Sequence, residues 1–137
     1  MRAHGDMIEA APPGTILILA VVALVRNEAD IIHLFLDALG RLFDHAVIVD
    51  QCSTDGTREA VADACASRPG WAIWKLETAG YHHSQVSTVA LRQLMDRSDA
   101  EHVAFLDADE FIDTPARSAF AKSLATLAAP EHVWLLR

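Results

Sequence analysis

The run of ten apolar residues from Ile16 to Val25 is the feature that most restricts how this chain can fold. It is rich in β-branched residues and apolar at every position, which is typical of a strand buried on both faces of a parallel sheet. It is only about half as long as a membrane-spanning helix. It also follows Pro12-Pro13-Gly14 and lacks a small-residue cleavage site after it, unlike a signal peptide. We therefore predict a strand that ends at the polar loop Arg26-Asn27-Glu28.

Further short apolar segments alternate with helical patterns along the rest of the chain. The predicted strands are 46–50, 71–76, one beginning at 102, and 133–136; the predicted helices are 29–43, 58–67, 84–95 and 114–127. This alternation predicts an α/β fold, with a Rossmann-like, mostly parallel sheet flanked by helices. Residues 1–15 mix Gly, Pro, Ala and charge without a period, so we expect a flexible leader followed by one domain over 16–137.

Composition narrows the class of partner. A chain of 137 residues with 52% apolar and 22% charged residues is large enough to bury a core without disulfides. Its 19 acidic residues outnumber 11 scattered basic ones, giving a net charge of −8, which disfavours binding to nucleic acid. No apolar run is long enough to span a membrane. The expected location is the cytoplasm.

The predicted fourth strand, which begins at His102, stops abruptly at Asp107, Asp109 and Glu110. In open α/β sheets, ligands bind just beyond the carboxyl ends of the strands. Asp107 and Asp109 lie two residues apart and could bind one hard cation such as Mg²⁺ or Mn²⁺, with phosphate oxygens completing the shell. The alternative is a solvated acidic turn. For Glu110, a direct part in the site and a supporting or structural role fit the sequence equally well, and Asp113 is expected to cap the next helix.

Other strand ends also carry polar residues. Asn27 and Glu28 follow the first strand and Asp50 ends the second, although helix capping or an ordinary strand-turn-helix connection would explain them as well. Gln85 is placed to face the site from the start of the third helix. His82-His83 is read as surface loop rather than metal site, because neighbouring side chains in an extended segment point apart. The sequence contains no glycine-rich phosphate loop, so nucleotide phosphates would need a metal.

Three motifs, in this order, together resemble the nucleotide-binding half of family 2 glycosyltransferases, which have the GT-A fold. They are Val25-Arg26-Asn27-Glu28, the segment 49–57 that reads Val-Asp-Gln-Cys-Ser-Thr-Asp-Gly-Thr, and the segment 105–111 that reads Phe-Leu-Asp-Ala-Asp-Glu-Phe. The Arg-Asn-Glu and Leu-Asp-Ala-Asp-Glu-Phe variants are most similar to a subgroup near the family 92 transferases. The resemblance covers roughly residues 17 to 113.

This resemblance implies a metal-dependent transferase that moves a sugar from a nucleoside-diphosphate donor, most simply UDP- or GDP-linked, to a carbohydrate or other acceptor. Asp107 and Asp109 would hold Mn²⁺ or Mg²⁺. The nucleotide-sugar would contact Arg26, Asn27, Glu28, Asp50, Gln51, Gln85 and Asp107, with Asp50 against the base or ribose. Many members have two successive aspartates where this chain has Asp50-Gln51, so an amide replaces the second carboxylate.

In such enzymes an acceptor-binding half, which supplies the general base of inverting members, follows a segment like Val133–Leu136. We therefore expect a donor-binding part of a longer product, or a domain completed through its C-terminal edge by a partner chain or a second copy; no base is assigned. Two alternatives remain: a nucleotide-sugar-binding domain without catalysis, and a phosphotransfer or phosphohydrolase domain that uses Asp107 and Asp109. The latter usually carries its Asp-x-Asp on the first strand.

Overall fold

The computed structural model describes residues 17–78, 80, 82–112 and 117–125. The predicted leader, the predicted fifth strand over 133–136 and the capping role of Asp113 lie outside these residues. The described elements are β1 (Leu19–Val25), α1 (Ile32–Leu42), β2 (His45–Gln51), α2 (Thr57–Ala66), β3 (Trp71–Leu76), α3 (His83–Arg97), β4 (His102–Asp107) and α4 (Arg117–Ala125). Strands and helices alternate throughout, as predicted.

The four strands form one sheet in the order β3-β2-β1-β4, and every pair is parallel. β1 lies between β2 and β4, which explains why its residues are apolar at every position. The chain moves outward in one direction from β1 to β3 and then returns to the far side of β1. This arrangement confirms the predicted α/β class with a parallel sheet flanked by helices.

The side chains of β1 alternate between two apolar layers. Leu19, Val21, Ala23 and Val25 pack with α1, α2 and α4, whereas Ala20 and Val22 pack with α3. The helices follow the same division, because α1 buries five apolar residues in the first layer and α3 buries Val86, Ala90 and Leu94 in the second. Placing the helices on both faces is what right-handed crossovers require when the strand order reverses.

The helix boundaries differ from prediction most at α1, which begins at Ile32 rather than at residue 29. The amides of Ile31 and Ile32 both bond the Glu28 carbonyl in a preceding turn, at 3.0 and 2.8 Å. Asp30 therefore lies before the helix and not in its first turn. α3 begins at His83, so this residue is helical rather than loop, although His82 and His83 are both exposed as predicted.

In the part of the chain that the structure describes, no helix is both long and apolar enough to span a membrane. The longest described helix, α3, has 15 residues and buries only one side of its surface.

Close backbone packing at Gly70 offers a test of this fold. The Gly70 carbonyl accepts the Ala46 amide at 3.1 Å, and a Cβ on Gly70 would lie 2.5 Å from the Asp44 carbonyl oxygen. Because backbone must move to admit a methyl group, we expect Gly70→Ala to reduce the free energy of unfolding by about 1–3 kcal/mol. Urea denaturation measures the change.

Gly80→Ala is the matched control, since a Cβ there meets no atom within 4 Å. It should leave the midpoint almost unchanged. Equal midpoints for the two variants would contradict the packing at the Gly70 turn.

Candidate functional site

The candidate site lies where the strand order reverses, between the carboxyl ends of β1 and β4. Leu24 pairs with Asp107 on one side of β1, and Val25 pairs with Asp50 on the other. Because neighbouring parallel strands lie about 4.8 Å apart, these residues come to one edge of the sheet. A reversal of strand order leaves a crevice at this edge, which is the usual ligand site of open α/β folds.

The turn after β4 presents its two aspartates to solvent. Asp107 and Asp109 are exposed, whereas Leu106 and Ala108 are 3% and 2% exposed, so alternate residues point outward and inward. Glu110 closes the turn: its amide donates to the Asp107 carbonyl, and its carboxylate accepts the Asp107 amide, each at 2.9 Å. These two bonds give Glu110 a structural role in the turn.

The edge carries concentrated negative charge. Desolvation is the largest cause that raises the pKa of Glu28 above its usual 4.5, and the charges of Asp109, Asp30, Asp55 and Asp107 raise it further. Glu28, at the end of β1, therefore lies within the electrostatic field of the β4 turn. Among the described residues, no three His, Cys, Asp or Glu side chains form a group able to hold a metal ion by themselves.

A chain of hydrogen bonds joins the loop after β1 to the loop after β2. Three successive amides, those of Asn27, Glu28 and Ala29, donate to side-chain oxygens: Ser53 Oγ at 2.9 Å, Thr57 Oγ1 at 2.8 Å and Asp55 Oδ2 at 3.1 Å. In return, the Thr54 amide donates to Asn27 Oδ1 at 2.8 Å. Side chains of one loop thus satisfy the backbone of the other, and the two loops form one unit. We call this set of contacts the loop junction.

Asn27 of the loop junction and Cys52, next to Ser53 in the chain, adopt left-handed backbone conformations. Asn27 has φ 49° and Cys52 has φ 62°, and each is close to the end of a strand. Asparagine tolerates this region better than most residues because its short side chain can hydrogen-bond locally. Neither Asn27 nor Glu28 caps α1 with its side chain, since the cap position is Ile31 and makes no side-chain cap bond. The capping alternative for these two residues is wrong.

Asp50, at the end of β2, is buried and bonded to other residues of the chain. Its side chain has no exposed surface, and its Oδ2 accepts Arg58 Nε at 2.6 Å and the Ser53 amide at 3.2 Å. Its Oδ1 is buried and has no hydrogen-bond partner among the described residues, and the same is true of Gln51 Nε2. Adjacent strand residues point to opposite faces, so these two groups lie on different sides of the sheet. The predicted contact of Asp50 with base or ribose remains a prediction.

The remaining candidates are less connected. Arg26 is exposed beside Asn27, and Gln85 is exposed in the first turn of α3. Within the residues that the structure describes, neither is hydrogen-bonded to the loop junction. The bonds from Ser53, Asp55 and Thr57 to the loop after β1 were not predicted from the sequence, and Arg58 was overlooked. The one available signal was the basic residue itself, placed in the helix directly after a strand that ends in a carboxylate.

Asp55 allows the loop junction to be tested by pH. The hydrogen bond from the Thr57 hydroxyl is the largest cause that lowers the pKa of Asp55 below its usual 3.8, and it outweighs desolvation. A depressed carboxyl pKa stabilises the fold above pH 3.8, and this contribution is lost as pH falls through the folded-state pKa. We expect Asp55→Ala to lower the melting temperature by a few degrees at pH 7.

The difference between wild type and Asp55→Ala should narrow as the pH falls below 3.8, because the wild-type carboxylate is then protonated. Thermal melts across this range measure it. Asp63→Ala, the same change at an exposed position of α2, serves as control and should shift the melting temperature little at any pH. A difference that stays constant with pH would contradict an ionised Asp55 in the loop junction.

A known solved structure has a similar fold. It is a mannosyltransferase, PcManGT from Pyrobaculum calidifontis, in complex with GDP-Man and Mn²⁺, with a TM-score of 0.64 and 25% identity. The similarity covers 93% of this chain but only 37% of that one, so this chain spans a little over a third of its length. No curated protein sequence matches the chain.

A family model provides the assignment. The model described as "Glycosyl transferase family 2" matches residues 20–126, which include β1, the loop junction and the β4 turn. The match covers well over half of the chain, and the three motifs that suggested the resemblance all fall inside it. The chain belongs to glycosyl transferase family 2.

Proposed function

We propose that this chain is the donor-binding part of a metal-dependent glycosyltransferase and binds a nucleoside-diphosphate sugar at the crevice between β1 and β4. The observation that carries the proposal is the pair of exposed aspartates, Asp107 and Asp109, at the reversal of strand order and within the electrostatic field of Glu28. This edge of the sheet combines surplus negative charge with a crevice of the kind that binds nucleotides in α/β folds.

The donor set supports a hard divalent cation. Two carboxylates on one turn suit Mn²⁺ or Mg²⁺ when diphosphate oxygens and water complete the shell, and such sites are not all-protein cages. This agrees with the finding that the described residues alone form no three-ligand group. Asp107 and Asp109 would hold the ion, which when bound neutralises charge on the departing nucleoside diphosphate. The similar mannosyltransferase structure contains Mn²⁺ and GDP-Man, which supports the same class of ligands here.

Different residues of the chain would contact different parts of the donor. The loop junction holds Asn27 and Glu28 at the crevice through bonds to their amides, leaving the Glu28 side chain to face the nucleotide. Gln51 replaces a family aspartate and presents an amide at the end of β2. Arg26 and Gln85 are exposed at the same edge and would contact the outer parts of the donor.

Sugar transfer is favoured over the phosphotransfer alternative by the family match, which covers residues 20–126. The acceptor, the transfer activity of the whole protein and the similarity to the family 92 subgroup remain predictions from the motifs. An assay for free sugar released from GDP- or UDP-linked donors distinguishes an enzyme from a domain that only binds the donor. Turnover of the donor indicates an enzyme, whereas metal-dependent affinity without turnover indicates binding alone.

Calorimetry with GDP, UDP and ADP in the presence of Mn²⁺ tests the proposal. We expect wild-type binding of GDP or UDP that disappears when the metal is chelated, because the aspartates hold the diphosphate only through the ion. Asp109→Asn should weaken this binding at least tenfold, or about 1.4 kcal/mol. The melting temperature of the variant should equal or exceed that of wild type, since the charge that raises the pKa of Glu28 is removed.

Asp96→Asn, at an exposed position of α3, makes the same chemical change away from the crevice and should bind like wild type. The proposal fails if wild type binds none of the three nucleotides with Mn²⁺, or if Asp109→Asn binds them with unchanged affinity.

A further inference from the structure

Arg58, in the first turn of α2, joins three elements through one side chain. Its Nε donates to Asp50 Oδ2 at 2.6 Å at the end of β2, and its Nη2 donates to the Leu76 carbonyl at 2.8 Å at the end of β3. The Glu77 carboxylate lies 4.0 Å from Nη1. The arginine side chain is 22% exposed, so most of its length is packed against the protein. Only a planar group with several donors can make these bonds together.

The positive charge of Arg58 compensates the negative charge of the buried Asp50 carboxylate. The carboxylate has no exposed surface, and Arg58 is the only cation that bonds it among the described residues. A buried carboxylate without its partner is strongly disfavoured, so loss of the arginine would favour an Asp50 side chain turned toward water. Asp50 Oδ1 has no partner among the described residues, so within them loss of Arg58 would leave the Ser53 amide as the remaining hydrogen bond to Asp50. The orientation of Asp50 is therefore set by Arg58.

The orientation of Asp50 is passed on to the loop after β1. The same Oδ2 that receives Arg58 also accepts the Ser53 amide, and Ser53 Oγ accepts the Asn27 amide. Asn27 in turn bonds the Thr54 amide, and its φ of 49° sets the direction in which the chain continues to Glu28. Consecutive hydrogen bonds thus run from a helix on one side of β2 to the crevice beside β1.

From these contacts we infer that Arg58 is a positioning residue of the donor site, which holds Asn27 and Glu28 in binding geometry through Asp50 and Ser53. The inference rests on the proposed function, because Asn27 and Glu28 line the nucleotide pocket only under that proposal. Arg58 itself contacts no ligand in this scheme. Loss of Arg58 weakens nucleotide binding and leaves Asp107 and Asp109 unchanged, because these lie at the end of β4, on the other side of β1.

The test compares Arg58→Met and Arg58→Lys with Arg68→Met. Arg68 stacks over Trp71 at 4.7 Å at the other end of α2, so the control makes the same change away from the crevice. Calorimetry with GDP and Mn²⁺ is run at a temperature where near-ultraviolet circular dichroism shows every variant folded. Arg58→Met should weaken binding at least tenfold, and Arg68→Met by less than twofold. Arg58→Lys should fall between, since lysine can pair with Asp50 but cannot also reproduce the bond to Leu76.

Combining Arg58→Met with Asn27→Ala distinguishes positioning from general loss of stability. If Arg58 acts through Asn27, the double variant should bind GDP about as weakly as the weaker single variant, at least threefold tighter than additive effects predict. Additive effects, or a folded Arg58→Met that binds within twofold of wild type, would overturn the inference.

Amide hydrogen exchange provides a measurement that needs no ligand. In Arg58→Met the amides of Asn27 and Ser53 should exchange at least fivefold faster, whereas the Asp44 amide, bonded to the Leu19 carbonyl at 2.8 Å, should keep its rate. Absence of GDP and UDP binding by wild type would reject the proposed function, and exchange would still decide whether Arg58 orders the loop. Unchanged exchange at Asn27 and Ser53 rejects the inference on its own.

Discussion

The backbone amides of Asn27, Glu28 and Ala29 are bonded by side chains from a different loop, and the crevice depends on this exchange. A loop that leaves a buried parallel strand carries several amides that neither sheet nor helix can satisfy. Here Ser53, Thr57 and Asp55 satisfy them, while α1 begins only at Ile32. The same contacts that meet this backbone requirement also hold the two strand ends in one shape.

The described residues show two arrangements of charge. Where the fold needs stability, charges are paired: Arg58 with Asp50, and Arg117 with Asp44 at 2.7 Å. At the end of β4, exposed acidic groups lie near Glu28, and their negative charges raise its pKa. Like charges gathered at one place destabilise the folded chain, and such arrangements are typical of sites where a ligand supplies the opposite charge. The proposed cation would offset the repulsion among these acidic groups.

The sequence was sufficient to predict the four strands that the structure describes, because burial determines which residues they contain. β1 is apolar on both faces since it lies at the centre of the sheet, and the β4 run ends at Asp107 because the sheet ends there. The start of α1 was mispredicted, because the apolar pattern already includes Ile31, which lies in a turn before the helix where its amide bonds the Glu28 carbonyl. The environment of Asp50 was unpredictable for a similar reason: its partner, Arg58, is identified only when α2 packs against the strand ends. The spacing of apolar residues within one element does not reveal which side chains of different elements will pair.

The strand order has a consequence for how the crevice is assembled during folding. β1, β2 and β3 follow one another closely in the chain, so their pairing and the loop junction require only short loops to close. β4 must return to β1 from far away, as the bond between Ile18 and Glu101 across 83 positions shows. Closing the longer loop costs more chain entropy, and such contacts form late. We therefore expect β4 and its acidic turn to join β1 after β1, β2 and β3 have paired, so that the proposed donor site forms only when β4 is in place.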